Sequence, residues 1–308
     1  MRSFRTSSAL SVVATSLIPR LSWAHDGRAL DPHDVWRAWT FEPAVALTLA
    51  VSVCCYTIGL RAHRARAKRA RGIAGWRVHS FVAGMLALGI ALLSPIDAVS
   101  GALFSVHMVQ HLLLVVVAAP LIVVGEPAYV MLWALPVAMR RGIARQWRQL
   151  PALRAAWHAV TLPVVAWTLH VAMLWLWHAP RLYDDALRMP WLHVVEHSAF
   201  FLTALVFWWV ALDRRRLRVG ASTFYLFVAA LQGTLLGALL TLARHPWYLS
   251  HYGTTQPWGL SPLEDQQIAG LIMWIPAGLA YLIAVAPRLL RALSDRSVPS
   301  AYGTSGTA

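Results

Sequence analysis

The sequence predicts an all-α, polytopic membrane protein of seven transmembrane helices, with the N-terminus outside and the C-terminus cytoplasmic. Three observations carry this reading. The 308 residues are 58% hydrophobic and only 13% charged, with a mean hydropathy of +0.55, whereas soluble chains run at about 25% charged. Seven apolar runs reach roughly the length a bilayer core needs. The basic residues, which give the chain a net charge of +14, fall mainly in alternate loops between those runs.

Taken in order, residues 1–24 combine a basic start (Arg2, Arg5), an apolar stretch from Ala9 to Ile18 and a Ser22-Trp23-Ala24 end. This is the pattern of a secretory signal peptide, and the stretch is too short and too rich in Ser and Thr to span well. Residues 25–43 then form an extracytoplasmic N-terminal segment. The membrane domain, 44–290, holds the apolar runs Ala44 to Leu60, Trp76 to Leu93, Leu103 to Val124, Val160 to Trp177, Trp191 to Leu212, Phe224 to Leu242 and Ile268 to Ala286. A cytoplasmic tail, 291–308, is Ser, Gly and Thr-rich from Ser294 onward and is expected to be disordered.

The loops orient the bundle. Arg61 to Arg77 holds seven bases; Arg140, Arg141, Arg145, Arg148 and Arg154 follow the third run; Arg214, Arg215, Arg216 and Arg218 follow the fifth; Arg288, Arg291 and Arg296 follow the seventh. These segments hold 19 bases against five on the opposite side (Arg28, Arg37, Arg181, Arg188, Arg244), which puts the C-terminus inside by the positive-inside rule. Basic loops between apolar spans describe a membrane protein rather than a nucleic-acid binder, which presents a basic face on a polar domain. The lipid bilayer is thus the first partner, and nucleic acid is excluded. Met139 to Trp157 alternates Arg with Ile, Trp and Leu and is expected to lie along the membrane surface, broken at Pro151. Gly233 and Gly237 form a GxxxG step that serves close helix packing.

Polar groups inside a bilayer are costly, so their placement is the functional signal. At about 1.5 Å per residue, His107 lies roughly 6 Å and His111 roughly 12 Å below the outer rim, and His193 and His197 roughly 3 and 9 Å below it. Both pairs are spaced i, i+4, so each presents two imidazoles on one helix face. The fourth run ends at His178 on the same side; Glu196, Met108 and Met273 reach similar depths. Two HxxxH pairs with thioether and carboxylate neighbours point to a metal. Imidazole plus thioether on an outward-facing site suits copper, while zinc with His and Glu remains chemically open. His170 is expected to make an interhelical hydrogen bond. His25, His33, His245 and His251 are read as ordinary loop histidines, Asp184 as solvated or capping, and Cys54 and Cys55 as small buried apolar residues rather than Cu(I) ligands, since they fall in the inner half of the first helix, far from the histidines; adjacent cysteines make neither a disulfide framework nor a zinc site.

The segments His107 to Pro127 (HMVQHLLLVVVAAPLIVVGEP), Trp175 to Leu187 (WLWHAPRLYDDAL), Trp191 to Trp209 (WLHVVEHSAFFLTALVFWW), the Pro246-Trp247-Tyr248 turn and Asp265 to Gly278 (DQQIAGLIMWIPAG) resemble the CtaG-type cytochrome c oxidase assembly factors. The resemblance covers roughly residues 40 to 290. It implies a multi-pass protein of the bacterial inner membrane that assists haem-copper oxidase assembly at a copper-insertion step and is not itself an enzyme. Its implied partners are cytochrome c oxidase subunits and periplasmic copper chaperones. The family histidines carry over to His107, His111, His178, His193 and His197, with Asp265 as a motif carboxylate. An unrelated single-span copper chaperone sometimes shares the family name, but its cysteine motif is missing here.

Three other functions stay open on the residues alone. A b-type cytochrome needs imidazoles facing one another from two helices, which His111 and His197 could supply. A metal transporter needs polar groups continuing to the cytoplasmic side, and that half reads as dry. A metal-free scaffold needs the histidines only to fix the bundle. A retinal pump is closed, because the single lysine, Lys68, lies in a loop.

Overall fold

Helices make up the architecture throughout, and no strand occurs among the described residues, which are 30, 32–66, 73–213 and 215–294 of this computed structural model. The expected signal peptide and the tail beyond residue 294 lie outside them. A 3-10 turn, Pro32–Arg37, leads into α1 (Pro43–Arg66) and α2 (Gly75–Leu93). Short α3 (Pro95–Ser100) precedes a continuous span built of α4 (Phe104–Leu112), a π-helical turn (Leu113–Ala118) and α5 (Ala119–Val124). Then come α6 (Pro127–Leu132), α7 (Val137–Gln149), α8 (Pro151–Val160), α9 (Pro163–Trp177), α10 (Pro180–Arg188), α11 (Pro190–Leu212), α12 (Val219–Thr241) and α13 (Pro262–Ser294). Residues 291–294, expected in the tail, thus continue the last helix.

Six helical segments are long and apolar enough to cross a membrane, and α8 with α9 makes a seventh only as a pair bent by 67°. The fourth apolar run is therefore not one helix. Proline favours the first helical position and cannot continue a preceding turn, so Pro163 starts α9 afresh and leaves it about 22 Å long. The chain breaks at Leu150 between α7 and α8, beside the proline that the sequence marks, and neither helix buries a residue. Their apolar side chains Met139, Ile143, Trp147, Leu150, Leu153 and Trp157 remain exposed, as an interfacial segment requires.

The π turn has a local cause. Pro120 lacks the N–H that an uninterrupted helix would use, and π turns absorb such a defect by inserting one residue. In the i to i+5 register of that turn, residue 120 would bond the carbonyl of Val115; the Trp208 indole N–H donates to that oxygen instead, at 2.8 Å. Trp208 belongs to the larger core cluster with Phe207, Leu226 and Tyr281. Along α12 and α13 the backbones approach closely at Gly237 and Gly270, where a Cβ on Gly237 would stand 2.7 Å from the Gly270 carbonyl oxygen. Gly233 meets nothing within 4 Å, so only half of the GxxxG step packs, and its partner is a glycine of the next helix. Cys54 is exposed and Cys55 half-buried on α1, both as free thiols, so neither is the buried residue expected: they lie on the outward face of the first helix.

Candidate metal centre

At one end of the bundle, α4 and α11 begin side by side with their histidines facing each other. His107 and His111 sit one turn apart on α4 with ring centroids 4.3 Å apart, and His193 and His197 do the same on α11 at 4.1 Å. Across the helices the rings are 5.5 Å apart for His107–His193, 5.9 Å for His107–His197 and 5.3 Å for His111–His197. Glu196 fills the space between, with Oε1 3.7 Å from Nε2 of His107 and 3.8 Å from Nε2 of His111. Tyr183 packs on the His107 ring and Phe200 on the His111 ring, at 5.1 and 4.5 Å.

These polar atoms are buried and unsatisfied. Nε2 of His107, both ring nitrogens of His111, Nε2 of His193 and of His197, and both oxygens of Glu196 lack a hydrogen-bond partner. Separations of 3.7 and 3.8 Å exceed an N–H···O bond. Each orphaned buried polar group costs on the order of 1–3 kcal/mol, and native proteins carry few of them. Two sets of donor atoms lie mutually within 4.8 Å: His107, His111 and His197, and His107, His193 and Glu196. Bonds of about 2.0–2.1 Å to a tetrahedral ion place donors about 3.4 Å apart, so modest ring rotations would close either set on a cation.

A satisfied frame surrounds this unsatisfied centre. Asp265, on the first turn of α13, accepts from the backbone N–H groups of Phe104 at 2.6 Å and Ser105 at 3.1 Å, and from the Ser105 hydroxyl. It caps the start of α4, where free N–H groups and the helix dipole favour an anion. Asp184 on α10 is buried and accepts from the backbone N–H groups of Leu249 and Ser250. His251, buried by the same loop, receives the Tyr183 hydroxyl proton at Nε2 (2.8 Å), with Nδ1 3.3 Å from the Ala102 carbonyl. Burial pushes the His251 pKa down, and the Asp265 carboxylate opposes that. Asp97 on α3 accepts from Thr40 and from the Gln110 amide, which also bonds the Ala91 carbonyl. Burial raises the Asp97 pKa while those two hydrogen bonds lower it.

A profile of the cytochrome c oxidase caa3 assembly factors (Caa3_CtaG) matches residues 54–294. The chain belongs to this family. Uncharacterized proteins of Mycobacterium bovis and Mycobacterium tuberculosis are each 27% identical over 277 residues, 86% of this chain and 41% of theirs. One from Mycobacterium leprae is 27% identical over 80% of this chain and 38% of its own length. The chain thus spans about two-fifths of the length of these relatives. No solved structure matches it.

The residues expected at a metal site separate into three places in the chain. His107, His111, His193, His197 and Glu196 form the cluster. His178 and Met108 form a pair beside it, Nε2 to Sδ 3.3 Å, and Met273 is buried in the same apolar cluster as Met108. Asp265 stands apart, with both oxygens engaged in capping α4. Three readings change. His251 is a buried member of the frame rather than an ordinary loop histidine, because the 248–252 turn folds back over α10. Asp184 is buried for the same reason and caps that turn rather than its own helix. His170 stacks on Phe207 at 4.6 Å, and its Nδ1 has no hydrogen-bond partner, so the expected interhelical bond is not made through that atom. The signal that could have found His251 and Asp184 is the run Pro246-Trp247-Tyr248, whose bulky residues need a packed rather than an open loop.

Proposed function

We propose that this assembly factor holds copper in the His107, His111, His193, His197 and Glu196 cluster and passes it to an oxidase subunit. The observation that carries this reading is the set of seven unpartnered buried polar atoms on two facing helix turns. Copper is here the cargo. Imidazole donors on an apolar scaffold suit it, and the distribution of arginines orients the cluster toward the extracytoplasmic side, where periplasmic copper chaperones would load it. The family describes cytochrome c oxidase assembly, which supplies the recipient. A haem reading is disfavoured by packing: Tyr183 and Phe200 already lie against the His107 and His111 rings, where a macrocycle would need a flat slot.

The test is the copper content of detergent-purified protein after loading. Wild type is expected to retain at least stoichiometric copper, and His107→Ala/His111→Ala and His193→Ala/His197→Ala each to lose the equivalent that the cluster holds. Equal, near-zero copper in all three would overturn the proposal and leave a metal-free scaffold.

A further inference from the structure

Beside the cluster, a second pair of lone-pair donors faces itself with no proton between them. The Nδ1 of His178 lies 2.7 Å from the Leu174 carbonyl oxygen. A carbonyl only accepts, so Nδ1 carries the ring hydrogen. In the neutral imidazole the other ring nitrogen then carries none. The Nε2 of His178 is therefore a bare lone pair. It points at the Met108 thioether, 3.3 Å away, which has lone pairs and nothing to donate. Both residues are buried.

The geometry of that contact fits an ion. Bonds of about 2.0 Å to nitrogen and about 2.3 Å to sulfur, closed over 3.3 Å, give an N–metal–S angle of about 100°, near the tetrahedral value and far from a linear two-coordinate one, so the position takes at least one further donor. Thioether sulfur selects Cu(I) over harder ions. Successive residues of a helix point about 100° apart, so Met108 leaves His107 facing α11 while reaching toward His178 and Met273. The His111 ring lies 6.3 Å from the His178 ring and 5.3 Å from the His197 ring. It thus adjoins both sets of donors.

We propose that Met108 Sδ and His178 Nε2 form a second metal position, selective for a soft monovalent ion of the Cu(I) class. His111, itself a member of the His/Glu cluster, lies between it and the cluster's other donors. An ion entering at one position reaches the other by exchanging ligands, with no change of valence. The proposal rests on the copper reading only for the destination of the ion; the sulfur-containing position stands on its own donors.

X-ray absorption on the full-length protein in detergent, loaded anaerobically with Cu(I) and separately with Ag(I), tests it directly. Wild type is expected to show a sulfur scatterer near the metal and to bind one more equivalent than Met108→Leu, which keeps the side-chain volume and loses the sulfur shell. Metal bound through nitrogen and oxygen alone, with equal stoichiometry in wild type and Met108→Leu, overturns the second position and leaves the cluster reading intact. A sulfur shell that persists in His193→Ala/His197→Ala with unchanged copper content supports the second position while removing the first. Because Cys54 and Cys55 are free thiols that would also bind a soft ion, the spectra are taken on Cys54→Ser/Cys55→Ser as well, and a sulfur shell lost in that variant overturns the second position.

Discussion

Two groups of buried polar residues lie within one helical turn of each other and are treated in opposite ways. Asp265, Asp184, His251 and Tyr183 have their polar atoms matched by backbone or side-chain partners. His107, His111, His193, His197 and Glu196 leave seven atoms unmatched in the interior. His107, His111 and Glu196 are as deeply buried as the frame, with His193 less so, so burial alone does not distinguish the two groups. The difference lies in what the atoms face: the frame faces helix ends and loop amides, whereas the centre faces itself. Rigid support around an unsatisfied donor set is the arrangement a bound cation requires.

Variants of the frame and of the centre should therefore fail differently. Asp265→Ala is expected to cost most, about 3–5 kcal/mol, because it orphans two buried N–H groups at the start of α4; thermal unfolding in detergent reads it. A melt unchanged from wild type would remove Asp265 from the frame. Gly270→Ala drives a methyl against the Thr241 hydroxyl and the Gly237 carbonyl, and should destabilise by about 1–3 kcal/mol without altering metal content. Tyr183→Phe removes one hydrogen bond, to His251, and should lower stability by about 1 kcal/mol.

Asp97 adds a pH signature. Its folded-state pKa is raised, so the folded chain binds that proton more tightly than the unfolded one. Stability should then fall as pH rises from the ordinary carboxylate range through the raised value, and Asp97→Asn should flatten that segment of the melting profile. The smallest stability effect belongs to the centre. Glu196→Gln breaks no hydrogen bond in the metal-free protein and should melt at or above wild type, yet retain at least tenfold less copper at limiting supply. Loss of folding together with an unchanged copper affinity would reverse the assignment of frame and centre.

Much of this was legible in the sequence, for physical reasons that differ by element. The apolar runs mark the long helices because hydrophobic length is a local property. The fourth run reaches spanning length only together with α8, and its continuity in hydropathy hides the restart at Pro163. The two i, i+4 histidine pairs were legible as faces, and their matching depth foretold that they would meet. Which groups would be satisfied was not legible: Asp265 caps a helix 160 residues away in the chain, and His251 takes its role from a loop fold that no periodicity encodes. Met108 was visible as a neighbour of His107, but its turn toward His178 needs the relative rotation of α4 and α9.

The π turn below His111 sets that rotation for everything beneath it. Adding or removing one residue in Leu113–Ala118 would twist α5 against α4 by about 100°. The chain therefore has a phase joint here: the upper half of this span can keep its histidines trained on α11 while the lower half keeps its own packing face. Trp208 acts as the latch on that joint, since its indole occupies the one carbonyl that Pro120 leaves open.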